Sequence, residues 1–110
     1  MWLFTTLGFF SVVAHRDDPA TILIRARVRD DLDALRVHHL PDLEIVENAG
    51  SDYAFRAFVS REEWEHAAQQ LARDIDYPNF KNAVAARQGA TRAHAYLEIW
   101  EVMHRLQSVP

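Results

Sequence analysis

The stretch TILIRARVR, residues 21–29, alternates apolar and polar side chains, a period of two that suits a strand and not a helix. Successive side chains on a strand point to opposite faces. Ile22, Ile24, Ala26 and Val28 are therefore expected to face a core, with Leu23, Arg25, Arg27 and Arg29 facing away from it. This segment alone calls for a half-buried sheet with a row of guanidinium groups on its wet side.

The rest of the chain supplies the partners of that strand. Gly8–His15, rich in aromatic and β-branched residues, reads as a strand, joined to the first through the turn chemistry of Arg16-Asp17-Asp18-Pro19. WLFT, just before it, is a short extra strand or part of the lead-in. Asp30 opens a helix whose acidic first turn suits the dipole; Leu32, Leu35 and His39 or Leu40 mark its buried side, and Pro41 ends it. Leu43–Asn48 and Tyr53–Val59 read as strands separated by the turn-rich NAGSD.

Ser60 and Glu63 form a capping box, and Trp64, Ala67, Ala68, Leu71 and Ile75 keep helical spacing behind it. Pro78 interrupts that helix. A short helix to about Arg87 follows, capped by Gly89, and a last one runs over about residues 91–106.

The order strand–strand–helix–strand–strand–helix–helix–helix describes an α+β chain. Without its first strand it is βαββα, a ferredoxin-like unit lacking the final strand. The leading strand would fill that place, so the expected fold is a permuted ferredoxin-like sheet of four antiparallel strands. Its helices would lie on one face, with extra C-terminal helices, in a single domain over residues 1–110. In Tyr53–Val59 the core set is Tyr53, Phe55, Ala57 and Val59, which leaves Arg56 and Phe58 on the arginine face. In the leading strand, either Phe9, Ser11, Val13 and His15 or the intervening residues face outward; parity alone leaves this open.

Composition limits the function. The formal charge is −4, shared as −3 over residues 1–60 and −1 over 61–110, so any basic surface is local. The absence of cysteine excludes disulfides, thiolate catalysis and finger-type zinc sites. No P-loop, dinucleotide or nucleophile-elbow motif occurs. The apolar run at residues 1–14 lacks the basic start of a secretion signal and is too short to cross a bilayer, so a cytoplasmic protein without membrane contact is expected.

Three groups of residues are candidates for function. Arg25, Arg27, Arg29 and Arg56 beside Phe58 form an anion-binding face for phosphate, carboxylate or single-stranded nucleic acid. YAFRAFV resembles the aromatic strand of RRM-type domains, though it lacks their glycine pattern. Tyr77, Asn79, Phe80 and Lys81, the last being the only lysine, make a contact loop or pocket wall where one helix breaks and another starts. Tyr96, Trp100 and Met103 belong to an apolar arc on the last helix that is wider than one neighbour covers, and a homodimer seam would use it. The opposite stripe, His94, Glu98, Glu101 and Arg105, reads as a solvated face rather than a metal centre. Asp30, Asp31 and Asp33 follow helix-start preference; no metal or cofactor is called for.

MWLFTTLGFFSVV, RARVRDDLDAL and IDYPNFKNAV together resemble a group of short bacterial proteins that carries no assigned activity. The resemblance spans most of the chain. It implies a bacterial, cytoplasmic protein and transfers no functional residue.

The expected function is a non-enzymatic, self-associating binding module with an arginine face for an anionic partner. The alternatives are a small cofactor-independent enzyme of the dimeric ferredoxin-like type acting on a carboxylate or phosphate compound, and an RNA- or ssDNA-binding or nuclease-like domain. A pocket enclosing His15 or His39 beside an arginine would mark the enzyme. An open, shallow arginine face would mark the module.

Overall fold

A computed structural model describes residues 1–47 and 52–108. The chain divides into two compact units, Met1–Asp76 and Tyr77–Pro110.

The first unit contains β1 (Trp2–Phe4), β2 (Phe9–Ala14), β3 (Thr21–Ala26), α1 (Arg29–His38), β4 (Ile45–Glu47), β5 (Phe55–Ser60) and α2 (Arg61–Arg73). The strands form one antiparallel sheet in the order β1-β2-β3-β5-β4. Among the described residues it has five strands where four were expected. Trp2–Phe4 pairs with β2, because the Thr5 hydroxyl accepts from the amides of Leu7 and Gly8, each at 3.1 Å, and closes a tight turn.

Register fixes the faces. Val12 stands opposite Ile24 and Ile24 opposite Ala57, and these residues line one side with Phe10, Ile22 and Val59. Leu32 and Leu35 of α1 and Trp64 and Ala67 of α2 complete the core against them. Burying each large side chain contributes about 1.5–3 kcal/mol, so this layer holds the sheet to its helices. The Ser60 hydroxyl accepts from the Glu63 amide at 3.1 Å and the Glu63 carboxylate accepts from the Ser60 amide at 3.3 Å, the reciprocal cap expected at the start of α2. That helix stops at Arg73, and Ile75 is exposed instead of buried in the expected stripe.

The open parity of β2 is resolved in favour of Phe9, Ser11 and Val13 facing outward, since Ser11 pairs with Arg25 and Val13 with Leu23. Two expectations for the neighbouring strands are corrected. β3 ends at Ala26, so the alternation continues in sequence but not in the sheet: Val28 is the exposed N-cap of α1 and Arg29 its first residue. Only Arg25 of the three arginines lies on the strand. Tyr53 precedes β5 and, although buried, stands outside the core cluster, with the guanidiniums of Arg25 and Arg27 over its ring. The expected loop at residues 48–52 lies outside the described residues except for Asp52.

The second unit is a helical hairpin, α3 (Phe80–Gln88) and α4 (Ala90–His104), followed by a 3-10 turn at Arg105–Ser108. Asn79 caps α3 by accepting from the Asn82 amide at 2.8 Å. Gly89 joins the helices with φ of +94°, a conformation that favours glycine. Val84, Ala93 and Tyr96 are buried, and the Tyr96 ring stacks on Phe80 at 5.8 Å.

Candidate functional site

On the outer face of the sheet, Arg25 of β3 stands directly opposite Arg56 of β5. Like charges at opposed positions repel, and a sheet usually places a carboxylate nearby to relieve them. The neighbouring arginines are relieved in this way. Arg27 pairs with Asp52 at 3.2 Å, which holds its guanidinium above the ordinary arginine range. Arg29 pairs with Glu47 and, at 3.6 Å, with Asp33.

The central pair is not relieved. Arg25 donates to the Ser11 hydroxyl at 2.8 Å, a neutral acceptor that is itself 1% exposed. Arg56 has no carboxylate partner among the described residues. The Nε atoms of both Arg25 and Arg56 are buried and lack any acceptor. A buried unsatisfied donor costs about 1–3 kcal/mol, and more when charged, so two Nε donors go unanswered here and neither charge meets a carboxylate among the described residues.

The surroundings are aromatic. Trp2 lies in the same cross-strand row, through Ser11, and is 68% exposed. Phe9 beside it packs edge-on to Trp2 at 6.0 Å and stacks on Phe4 at 4.6 Å. Phe58, two residues along β5 from Arg56, is 43% exposed and meets the His15 ring at 5.7 Å. The arrangement concentrates cationic donors between flat apolar surfaces, where an anion is drawn more strongly than in open water.

Of the five residues expected on this face, Arg25, Arg56 and Phe58 lie on the sheet, Arg27 shares the Tyr53 ring with Arg25 while paired with Asp52, and Arg29 is paired with Glu47 at the start of α1. Ser11, Tyr53 and the Trp2–Phe4–Phe9 cluster were not anticipated as parts of the site. A polar Ser11 facing away from the wholly apolar Phe10 and Val12 is the signal that orients β2.

Clefts lie elsewhere among the described residues. One, of about 320 Å³, is lined by His39, Asp42, Glu62, Glu63 and His66 in the first unit. His39 Nε2 lies 2.7 Å from an Asp74 carboxylate oxygen, but no arginine lines the cleft to hold an anionic substrate. Another, of about 540 Å³, is lined by Asn79, Phe80, Lys81, Tyr96, Leu97 and Trp100, joining three residues of the expected 77–81 pocket wall to α4. The Tyr77 ring adjoins Phe80 at 5.8 Å. Trp100 and Met103 are exposed, whereas Tyr96 is taken up by its stacking on Phe80.

Among the described residues no three acidic or histidine side chains converge on a metal position, and no helix is long and apolar enough to cross a membrane. Asp31 accepts from the Phe9 amide and Asp33 pairs with Arg36 and Arg29, so those carboxylates have structural duties. Comparison with protein-family models, with curated proteins and with solved structures finds no match.

Proposed function

We propose that this protein is a small non-enzymatic binding module that takes an anionic partner on the outer face of its sheet through Arg25 and Arg56. The observation that carries the reading is the directly opposed pair of guanidiniums, neither of which has a carboxylate partner among the described residues. Arg27, tied to Asp52, and Arg29, tied to Glu47, border the site and stay out of the first contact. Phe58 supplies an apolar wall.

The order β2-β3-β5-β4, with α1 between β3 and β4 and α2 after β5, supports reading the sheet as a permuted ferredoxin-like one with β1 added at its edge. Self-association through the exposed stripe of α4 belongs to the same proposal, as does a cytoplasmic setting. The Asn79–Phe80–Lys81 cleft is assigned no part in it.

Thermal unfolding in inorganic phosphate against chloride at matched ionic strength tests the reading. A ligand that binds only the folded state raises Tm by mass action. Phosphate is expected to raise Tm of the parent and to leave an Arg25→Gln/Arg56→Gln variant unmoved. An equal rise in both would assign the effect to general salting and overturn the reading.

A further inference from the structure

We infer that the anionic partner is single-stranded nucleic acid, with phosphates on the Arg25–Arg56 pair and bases stacked on Phe58 and Trp2. The inference rests on the anion-binding reading above and adds the rings to it. A free phosphate or carboxylate would satisfy the guanidiniums and leave the rings unexplained. An extended strand uses both, because every base has a π face and every link a negative charge.

The spacing suits such a ligand. Phe58 lies two residues from Arg56 on one strand, about 7 Å along the sheet. Trp2 lies two strands from Arg25 in the row Trp2–Ser11–Arg25–Arg56, about 10 Å away. The Arg25 and Arg56 positions thus lie between two exposed rings within a footprint of about two or three nucleotides. Both rings have an accessible surface and a neighbour that steadies them, Phe9 for Trp2 and His15 for Phe58. A duplex would keep its bases stacked on each other and offer the rings nothing.

The overall charge of −4 sharpens the expectation. With Arg27 and Arg29 engaged by carboxylates, Arg25 and Arg56 are the two arginines expected to displace counterions. For two phosphate contacts on a single strand, log K is expected to fall against log salt with a slope of about −1.4.

The test is fluorescence anisotropy with labelled oligouridine, oligothymidine and a duplex of the same length, over a salt series. It uses the parent, Phe58→Leu, Trp2→Leu and Arg25→Gln/Arg56→Gln, each checked for folding by its thermal transition. The parent is expected to bind at least one single strand with the shallow slope above and to bind the duplex more weakly. Preference between uridine and thymidine strands identifies RNA or DNA as the source. Trp2→Leu is expected to lose roughly tenfold in affinity for the strand while its Tm response to inorganic phosphate is unchanged, and Phe58→Leu is expected to lose affinity for the strand. The arginine variant loses both. If the parent responds to phosphate but binds no oligonucleotide at low salt, or if both ring variants bind as the parent does, the inference falls and the anion-binding reading stands. If the parent responds to neither, both fall.

Discussion

The Asp31 carboxylate occupies the space in which a side chain on Gly8 would stand. A Cβ built on Gly8 would lie 2.3 Å from Asp31 Cγ, and Asp31 Oδ2 accepts the Phe9 amide at 3.0 Å. Asp31 is only 4% exposed, so the first turn of α1 is locked to the start of β2 by a buried charged hydrogen bond. Gly8→Ala forces one of these segments to move and is expected to destabilise by about 2–3 kcal/mol in urea unfolding. Asp31→Asn, which keeps an acceptor in place, is expected to cost less than Asp31→Ala, which removes the acceptor of the Phe9 amide. Equal losses in the two Asp31 variants would show that the bond to Phe9 is not what matters.

Arg56 is expected to be a stability liability. Its charge opposes that of Arg25, and its Nε is buried without an acceptor. Arg56→Leu removes both costs and adds apolar surface beside Val46, its cross-strand neighbour. The expected gain without ligand is about 1 kcal/mol, or a Tm higher by several degrees. Loss of the phosphate response in the same variant would identify a site kept at the expense of stability. A lower Tm would mean that the arginine already has a stabilising role in the unliganded chain.

The reach of sequence reasoning divides along physical lines. Alternation decides a strand's faces when its two sides differ, as Ile22 and Ile24 differ from Arg25. It fails in FFSVVA, where five of the six residues are apolar. The capping box at Ser60 was legible because it is local. The C-terminal end of β3 was not, because the residues after Ala26 lead into α1 at Arg29, and Arg27 and Arg29 find carboxylates, Asp52 and Glu47, 25 and 18 residues away. The same long-range pairing separates one unrelieved arginine pair from the row of four. Tyr53 fits the parity of a core residue, yet its ring serves two guanidiniums. The width of the apolar arc on α4 was legible, whereas what covers it is not a property of one chain's pattern.

The turn between β2 and β3 carries a pH dependence. Asp18 accepts from the Thr21 hydroxyl at 2.7 Å and from the Ala20 amide at 3.0 Å. The Thr21 bond first, then the Ala20 bond, hold its carboxyl below the usual aspartate value against desolvation, with a lesser contribution from the nearby His15. A depressed folded pKa stabilises above the unfolded value of about 3.9, and the benefit disappears as pH falls through the folded value. The Tm gap between the parent and Asp18→Asn is therefore expected to be constant from neutrality to mild acid and to close at the lowest pH. A gap independent of pH throughout would assign the turn's stability to hydrogen-bond geometry and not to the charge.

The C-terminal hairpin exposes more apolar surface than its own contacts use. Ile99, Val102, Met103 and Leu106 recur at helical spacing and all are exposed, with Trp100, 59% exposed, next to them. Among the described residues of this unit Val84, Ala93 and Tyr96 are buried, a small core for two helices. A stripe of this kind gains about 25 cal/mol for each Å² of apolar area it buries, and a second copy of the same stripe is the partner always present. The sedimentation profile of the parent is accordingly expected to shift toward a dimer as concentration rises. Met103→Glu places an unpaired charge in the centre of the stripe and is expected to hold the protein monomeric with its Tm response to phosphate intact. A parent that stays monomeric at every concentration removes self-association from the proposal and leaves the arginine face to be judged by itself.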